Sequence, residues 1–220
     1  RLTKSNLPTE TALIGFAGAP WTVMTYMAEG GSSRDFTITR EWAWKYPKQV
    51  DALLGSLIES TISFLSLQAS AGADVLMLFD SWASAVPAAQ RDWLVTRPAR
   101  LIIERLRKNG HKQPVIGFPK GIGEGLIAYV DQSGVDAVGL DHGVDPVWVD
   151  RNLPQNFPVQ GNLDPLSLLQ AGPEMFRDID HILDAFANRP HIFNLGHGIT
   201  PPTPTENVQL MLDHVRRHQG

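Results

Sequence analysis

Six short stretches of the chain are rich in Val, Ile, Leu and Phe and lack the alternation of polar and apolar residues expected of a half-exposed strand. They cover residues 12–18, 74–80, 114–118, 136–141, 158–163 and 191–195. Strands of this composition are buried on both faces, which is typical of a parallel sheet. The sequence therefore predicts an α/β fold built on six parallel strands.

Polar residues follow nearly every one of these stretches at the point where the predicted strand ends. The first stretch is followed by Ala19-Pro20-Trp21 and then by Tyr26. The polar residues after later stretches are Ser81, Lys120, His142, Asp164 and His197. In a (β/α) barrel, the carboxyl ends of the strands meet at one rim, and that rim carries the chemistry. The pattern therefore favours an enzyme of the TIM-barrel type.

Helical periodicity fills the intervals between the strands. Apolar residues recur at three- and four-residue spacing in 47–71, and 98–109 begins with Pro98 and ends before Gly110. Shorter helices are predicted over 122–132, 146–153, 165–170, 174–188 and 205–218. Strands and helices in this order form right-handed βαβ units. A closed barrel of this type needs eight strands, so six predict either an open sheet or a barrel with two units outside this chain.

Composition indicates one soluble domain. The 220 residues are 43% apolar and 19% charged, with a net charge of −4 and no cysteine. These values are typical of a globular domain, and the absence of cysteine fits a cytoplasmic protein and excludes disulfides and thiolate metal sites. A net acidic chain is not expected to bind nucleic acid, and no stretch reaches the roughly 20 apolar residues of a membrane span.

Five segments resemble the uroporphyrinogen decarboxylase family, occur in the family's order and cover nearly all of the chain. They are residues 15–31 (GFAGAPWTVMTYMAEGG), 78–84 (LFDSWAS), 138–141 (VGLD), 159–165 (VQGNLDP) and 193–204 (FNLGHGITPPTP). The resemblance implies a single-domain, distorted (β/α)8 barrel that forms homodimers. It also implies an enzyme of haem biosynthesis that removes CO2 from the four acetate side chains of uroporphyrinogen to give coproporphyrinogen, without cofactor or metal.

The same resemblance implies that residues 1–220 form one barrel domain equivalent to the C-terminal two-thirds of the family's chain. The six strands would then be the third to the eighth of the barrel. The family's arginine-rich loop and the aspartate that binds the pyrrole N–H groups match no stretch of this sequence. We therefore expect the chain to be inactive by itself, and its open barrel to self-associate.

The resemblance assigns four residues to the active site. Tyr26 and His197 are expected to bind the substrate and take part in catalysis, and Phe79 and Ser81 to bind the substrate. A phenol and a hydroxyl can donate to a substrate carboxylate, and an imidazole can also relay a proton near neutral pH. From the residues alone, Tyr26 could instead be a half-buried aromatic side chain and Ser81 a helix cap.

Two aspartates, Asp141 and Asp164, end predicted strands and could be taken for a glycosidase pair. Because ionised carboxylates would repel a polyanionic substrate, we expect both to be structural and to accept backbone hydrogen bonds in turns. The histidines at 111, 181, 191, 214 and 218 fall in helices or at strand starts, where we expect surface positions and no metal site.

Two further functions remain open. The related barrel family of methylcobamide:thiol methyltransferases binds zinc through His and Cys, and the absence of cysteine counts against it. Alternatively, the chain by itself is a non-catalytic fragment that binds a tetrapyrrole without turning it over.

Overall fold

The computed structural model describes residues 1–31 and 33–218. Its strands are β1 Ile14–Gly18, β2 Val75–Asp80, β3 Val115–Pro119, β4 Ala137–Gly139, β5 Val159–Gln160 and β6 His191–Ile192. The helices are α1 Leu2–Asn6, α2 Pro20–Glu29, α3 Thr37–Lys45, α4 Pro47–Ser70, α5 Arg97–Lys108, α6 Gly125–Ser133, α7 Pro146–Asn152, α8 Pro165–Gln170, α9 Pro173–Ala185 and α10 Thr205–His218. Between β2 and α5 the chain makes two short 3-10 turns and one π-helical turn, Ala83–Ala85, Ala88–Gln90 and Asp92–Thr96.

All six predicted strands are present and run parallel, which confirms the α/β class with the βα repeat of a TIM-type barrel. The chain divides into two compact units, Arg1–Asp136 and Ala137–Gly220. Each unit contains three of the strands. The expectation that residues 1–220 form one domain stays a prediction.

The sheet of the first unit consists of β1, β2 and β3. Ile14 lies opposite Val75 on β2, and Leu76 lies opposite Val115 on β3. Strand β3 is buried along its whole length, and β2 is buried or half-buried at every position. Burial on both faces is the reason why these strands show no polar alternation.

Helix α4 covers this sheet with one apolar side. Pro47 occupies its first turn, where a missing N–H costs nothing, and the buried side chains recur at helical spacing. They are Val50, Leu54, Ile58, Ile62 and Leu65. Among the helices of the described residues, α4 alone is long and apolar enough to cross a membrane. A third of its apolar stretch is buried within the protein. The alternation of buried and exposed residues is that of a helix packed on a sheet.

Tyr26 lies in helix α2, in a stretch for which the sequence pattern predicted no helix. Pro20 opens this helix, and Gly30 closes it in the left-handed conformation with its N–H bonded to the Tyr26 carbonyl. Trp21 and Met24 are fully buried, so the helix is anchored directly behind the end of β1. The rigid helix fixes the direction of the Tyr26 side chain, which a loop would not.

The outer edge of β1 is covered by a side chain of helix α4. The Gln68 amide oxygen accepts the backbone N–H of Phe16 at 2.8 Å, and its amide nitrogen donates to the Phe16 carbonyl, also at 2.8 Å. One side-chain amide thus forms the same pair of bonds that a neighbouring strand would form.

The second unit contains the short strands β4, β5 and β6. Asp145 and Asp164 cap helices α7 and α8 by accepting the N–H groups of Val147 and Leu166, both at 2.9 Å. The guanidinium of Arg189 is buried, pairs with Asp150 at 3.0 Å and donates to backbone carbonyls of the segment 150–157. This single side chain holds the segment between α7 and β5 in place.

Candidate functional site

A hydrogen-bond network lies at the carboxyl end of β2 in the first unit. The hydroxyl of Thr22 donates to Oδ1 of Asp80 at 2.6 Å and accepts the backbone N–H of Trp82 at 3.2 Å. Asp80 is the last residue of β2 and is buried. The network therefore joins helix α2 to the segment that carries Ser81 and Trp82.

Burial raises the pKa of Asp80 to about 7, although the hydrogen bonds from Thr22 favour its ionised form. Tyr129 is also buried, and both burial and the charge of Asp80 raise the pKa of its phenol. These two groups lie in the interior of the first unit, below the exposed rim, and keep their protons at neutral pH more readily than surface groups do.

Tyr26 and Ser81 are brought together around Trp82. The Tyr26 ring is 47% exposed and meets the Trp82 ring edge-on, with 6.3 Å between the centroids. Ser81 is half-buried and directly precedes Trp82. The 3-10 turn Ala83–Ala85 has Trp82 as its first flanking residue, so the alternative that Ser81 caps this turn is not supported.

Phe79 belongs to a row of three aromatic rings that crosses the sheet. Its ring centroid lies 5.8 Å from that of Phe16 on β1 and 5.6 Å from that of Phe118 on β3. Phe118 is buried, Phe79 half-buried and Phe16 59% exposed, so the row carries an apolar surface from the core to solvent. Phe16 and Phe118 could not be identified from the sequence, because a single sequence does not reveal the strand register that aligns them.

Lys120 adds a positive charge to this end of the sheet. It directly follows β3, its backbone N–H donates to the Asp80 carbonyl at 3.1 Å, and its ammonium lies 5.9 Å from the centre of the Trp82 ring. The first unit therefore presents hydroxyl donors, an apolar row and a cation at one end of its strands. Such an arrangement can bind an anionic molecule with an extended apolar body.

His197 lies in the second unit, on the loop that follows β6, where its side chain is exposed. The loop is held by the N–H of Gly196, which donates to the Leu163 carbonyl at 2.8 Å. A Cβ atom on Gly196 would lie only 2.3 Å from the backbone nitrogen of His142, whereas one on Gly198 would meet nothing within 4 Å. Gly196 is thus required by close backbone packing, and this packing fixes the position of His197.

Asp141 and Asp164 have the structural contacts that the sequence analysis expected. Asp141 accepts the N–H of Gly143 at 2.9 Å, and Asp164 caps helix α8. Asn162, between the two strand ends, donates to the carbonyls of Asp141 and Val144 at 2.9 and 2.7 Å. These residues order the loops around His142.

Among the other histidines, His181 and His218 are exposed as expected, whereas His111, His191 and His214 are half-buried. The ring of His191 contacts Phe186 and bonds to the Gly161 carbonyl at 2.6 Å, and burial lowers its pKa.

His214 and His218 are four residues apart on α10, a spacing that is found between metal ligands on a helix. This pair was not recognised from the sequence. Both contact Asp180, at 2.6 and 3.4 Å. Residues 1–31 and 33–218 contain no group of three or more His, Asp or Glu side chains arranged to hold a metal ion.

The structure thus places Tyr26, Phe79 and Ser81 at the strand ends of the first unit and His197 at the strand ends of the second. The family model for uroporphyrinogen decarboxylase matches residues 1–218. The chain belongs to the uroporphyrinogen decarboxylase family.

Curated relatives called uroporphyrinogen decarboxylase are similar over nearly the whole chain. The protein of Novosphingobium aromaticivorans is 51% identical over 214 residues, covering 97% of this chain and 62% of its own. The proteins of Sphingopyxis alaskensis and Maricaulis maris are 48% and 47% identical, with 96% of this chain covered and 62% and 61% of their own. The chain therefore spans about 62% of the length of these uroporphyrinogen decarboxylases.

Solved structures of other proteins share the fold. A methyltransferase from Methanosarcina mazei has a TM-score of 0.82 at 16% identity, covering 100% of this chain and 62% of its own. The HPPK-DHPS protein of Plasmodium falciparum has a TM-score of 0.54 at 12% identity, covering 95% of this chain and 36% of its own. At such low identities the similarity concerns the fold alone. It does not favour the methyltransferase alternative over membership of the uroporphyrinogen decarboxylase family.

Proposed function

We propose that the chain provides a large part of a carboxy-lyase that removes CO2 from the four acetate side chains of uroporphyrinogen III and yields coproporphyrinogen III. The observation that carries this proposal is the family match over residues 1–218, together with relatives of that name at 47–51% identity. The reaction belongs to haem biosynthesis, and the proposal includes a cytoplasmic enzyme without cofactor.

Loss of CO2 from a pyrrole acetate requires an acceptor for the electron pair that stays behind. Protonation of the pyrrole carbon that bears the acetate creates a cationic ring, which accepts that pair. A second proton on the exocyclic carbon then completes the methyl group, and loss of the first proton from the ring carbon restores the neutral pyrrole. The protein must therefore stabilise a cationic ring, supply donors for protons and hold a substrate with up to eight carboxylates.

In the first unit, Tyr26 and Ser81 supply the uncharged donors for substrate carboxylates. The Tyr26 ring is half exposed and braced against Trp82, so its hydroxyl can meet a ligand without moving the helix. The row of Phe16, Phe79 and Phe118 gives the macrocycle an apolar surface, and Lys120 attracts its negative charge. The faces of these aromatic rings can stabilise the positive charge of the protonated pyrrole.

His197 is proposed as the proton-handling residue of the second unit. Its loop follows strand β6 and is fixed by the close packing at Gly196. An imidazole can either donate a hydrogen bond to a carboxylate or relay a proton. The full-length enzyme is proposed to be a homodimer that binds neither nucleic acid nor membranes.

The proposal is tested by measuring CO2 release from uroporphyrinogen III. The assay compares this chain by itself with a protein of full family length that contains it. We expect turnover only in the longer protein, and a reduction by about tenfold or more in kcat/KM for His197→Ala and Tyr26→Phe in that protein. Absence of CO2 release by the correctly folded longer protein would overturn the proposed function.

The isolated chain also decides between an enzyme and a binding fragment. Turnover by the 220-residue chain would show that it contains all essential groups. Binding of the tetrapyrrole without turnover would agree with the expectation that further essential groups lie in the remaining length of the relatives.

The control for His197→Ala and Tyr26→Phe is His111→Ala. His111 is a half-buried histidine of the first unit and lies between α5 and β3.

A further inference from the structure

A cavity of about 510 Å³ lies in the first unit, between the segment that joins α2 to α3 and the turns that follow β2. Three arginines line it, Arg34, Arg40 and Arg91, and Asp35 is the one acidic residue among the described lining residues. The volume is within the range of small-molecule sites, which is roughly 300–1,000 Å³.

Several hydrogen-bond donors of the residues that line this cavity have no acceptor. Arg40 donates from Nη1 to the Asp35 carbonyl at 3.4 Å, and Arg91 donates from Nη1 to Glu124 at 2.9 Å. In the described part of the chain, three buried nitrogen atoms of the lining residues have no hydrogen-bond partner: Nε of Arg40, Nε of Arg91 and Nε1 of Trp82. Buried donors without an acceptor are costly, and natural structures keep few of them unless a ligand or water satisfies them.

We propose that this cavity is a binding site for a carboxylate anion. The fork of N–H groups on a guanidinium matches the two oxygens of a carboxylate, and the bonds are strengthened by the charge. Arg40, Arg91 and Trp82 all line the cavity, and each of them has a buried N–H without a partner, so a carboxylate bound there would meet two guanidinium groups with spare donors.

Trp82 connects this site with the proposed active site. Trp82 is one of the lining residues of the cavity, and its ring also contacts Tyr26, with 6.3 Å between ring centroids, and Lys120. The carboxylate can therefore come from a propionate side chain of the porphyrinogen held beyond the reacting acetate, an assignment that rests on the proposed function. The other source is a separate small polycarboxylate.

The test is isothermal titration calorimetry on the 220-residue chain with two probes, citrate and uroporphyrin I, at low ionic strength. We expect Arg40→Gln and Arg91→Gln each to weaken binding by about tenfold or more. Arg105→Gln removes an exposed charge from α5 in the same unit, where Arg105 pairs loosely with Glu59 at 3.6 Å, and is expected to change affinity by less than about twofold.

Arg40→Lys separates a specific site from general attraction. Lysine keeps the charge but lacks the Nε donor, so we expect it to bind as weakly as Arg40→Gln, whereas recovery of wild-type affinity would overturn the proposal. Equal losses in Arg40→Gln and Arg105→Gln, or no binding of either probe to the wild-type chain, would overturn it as well. Circular dichroism of each variant establishes that it is folded.

The two sources of the carboxylate give different results. Binding of uroporphyrin I with no binding of citrate supports a substrate side chain, and binding of both in mutual competition supports a site open to small polycarboxylates. Inorganic phosphate that competes as well as citrate would overturn the carboxylate assignment. Because calorimetry needs no turnover, failure of this site leaves the CO2-release test of the proposed function unaffected.

Discussion

The hydroxyl of Thr22 lies 2.6 Å from Oδ1 of Asp80, which ties the first turn of helix α2 to the last residue of strand β2. This bond joins the two elements that carry Tyr26 and Ser81. The carboxyl group of Asp80 is buried directly behind the rim of the sheet. The protonation state of this group therefore affects the stability of the first unit.

Replacing Asp80 with Asn should change how the stability of the first unit depends on pH. Burial raises the pKa of Asp80 from 3.8 to about 7, so its contribution is fully present below pH 3.8 and is lost as the pH rises through 7. Asn keeps an acceptor for Thr22 without a charge. We expect the free energy of unfolding of Asp80→Asn, relative to wild type, to increase by about 2 kcal/mol from pH 5 to pH 8.

Urea unfolding at pH 5, 6, 7 and 8 measures this difference. Asp131→Asn, which removes an exposed carboxyl from helix α6, is the matched control. A difference between wild type and Asp80→Asn that stays constant across this range would contradict the role assigned to burial.

Gly196→Ala should disturb the loop that carries His197, while Gly198→Ala should not. The new Cβ atom at 196 would lie 2.3 Å from a backbone nitrogen, which cannot rotate away as a side chain could, and nothing lies within 4 Å of one at 198. We expect Gly196→Ala to cost about 1–3 kcal/mol and to speed amide exchange in residues 193–198. Similar exchange rates in the two variants would show that the loop is not held by this contact.

Phe16→Ala should weaken tetrapyrrole binding with little effect on folding. The ring is 59% exposed, so its removal costs little core packing, but it forms the outer end of the aromatic row. We expect the affinity for uroporphyrin I, measured by fluorescence quenching, to fall by about threefold to tenfold. Phe64→Ala, which removes a similarly exposed ring from helix α4, is the control, and an equal loss in both variants would exclude a specific role for Phe16.

Arg189→Ala should severely destabilise the second unit. The substitution leaves Asp150 and a set of backbone carbonyls without their common donor, and the guanidinium is fully buried. We expect a loss of about 3–5 kcal/mol in urea unfolding. Arg177→Ala removes an exposed arginine paired with Glu174 on α9 and should cost less than about 0.5 kcal/mol, so comparable losses would refute the importance of burial.

Much of the fold could be predicted because its signals are local. Buried strands and amphipathic helices leave a periodic pattern, and helices α4, α5, α8 and α10 begin and end within a residue or two of the predicted bounds. Helix α2 was missed because it is apolar on most sides and shows no stripe. Its terminal signals, Pro20 at the start and Gly30 after the end, are present in the sequence and could have identified it.

The site could be predicted only in part. Tyr26, Ser81 and His197 stand next to strand ends, which a sequence reveals, whereas Phe16 joins Phe79 only through the register of two strands. The cavity of Arg34, Arg40 and Arg91 is lined by two segments, residues 34–40 and 82–91, which are distant in the sequence. Such long-range contacts leave no periodicity in the chain.

Because Gln68 bonds to the backbone of Phe16, the covering of the β1 edge depends on the C-terminal turns of helix α4. While the last turns of α4 are intact, strand β1 offers no vacant ladder position at Phe16 to another polypeptide. Fraying of those turns would withdraw the amide and uncover the strand at once. The protection of this strand edge against pairing with another chain therefore depends on the stability of the last turns of α4.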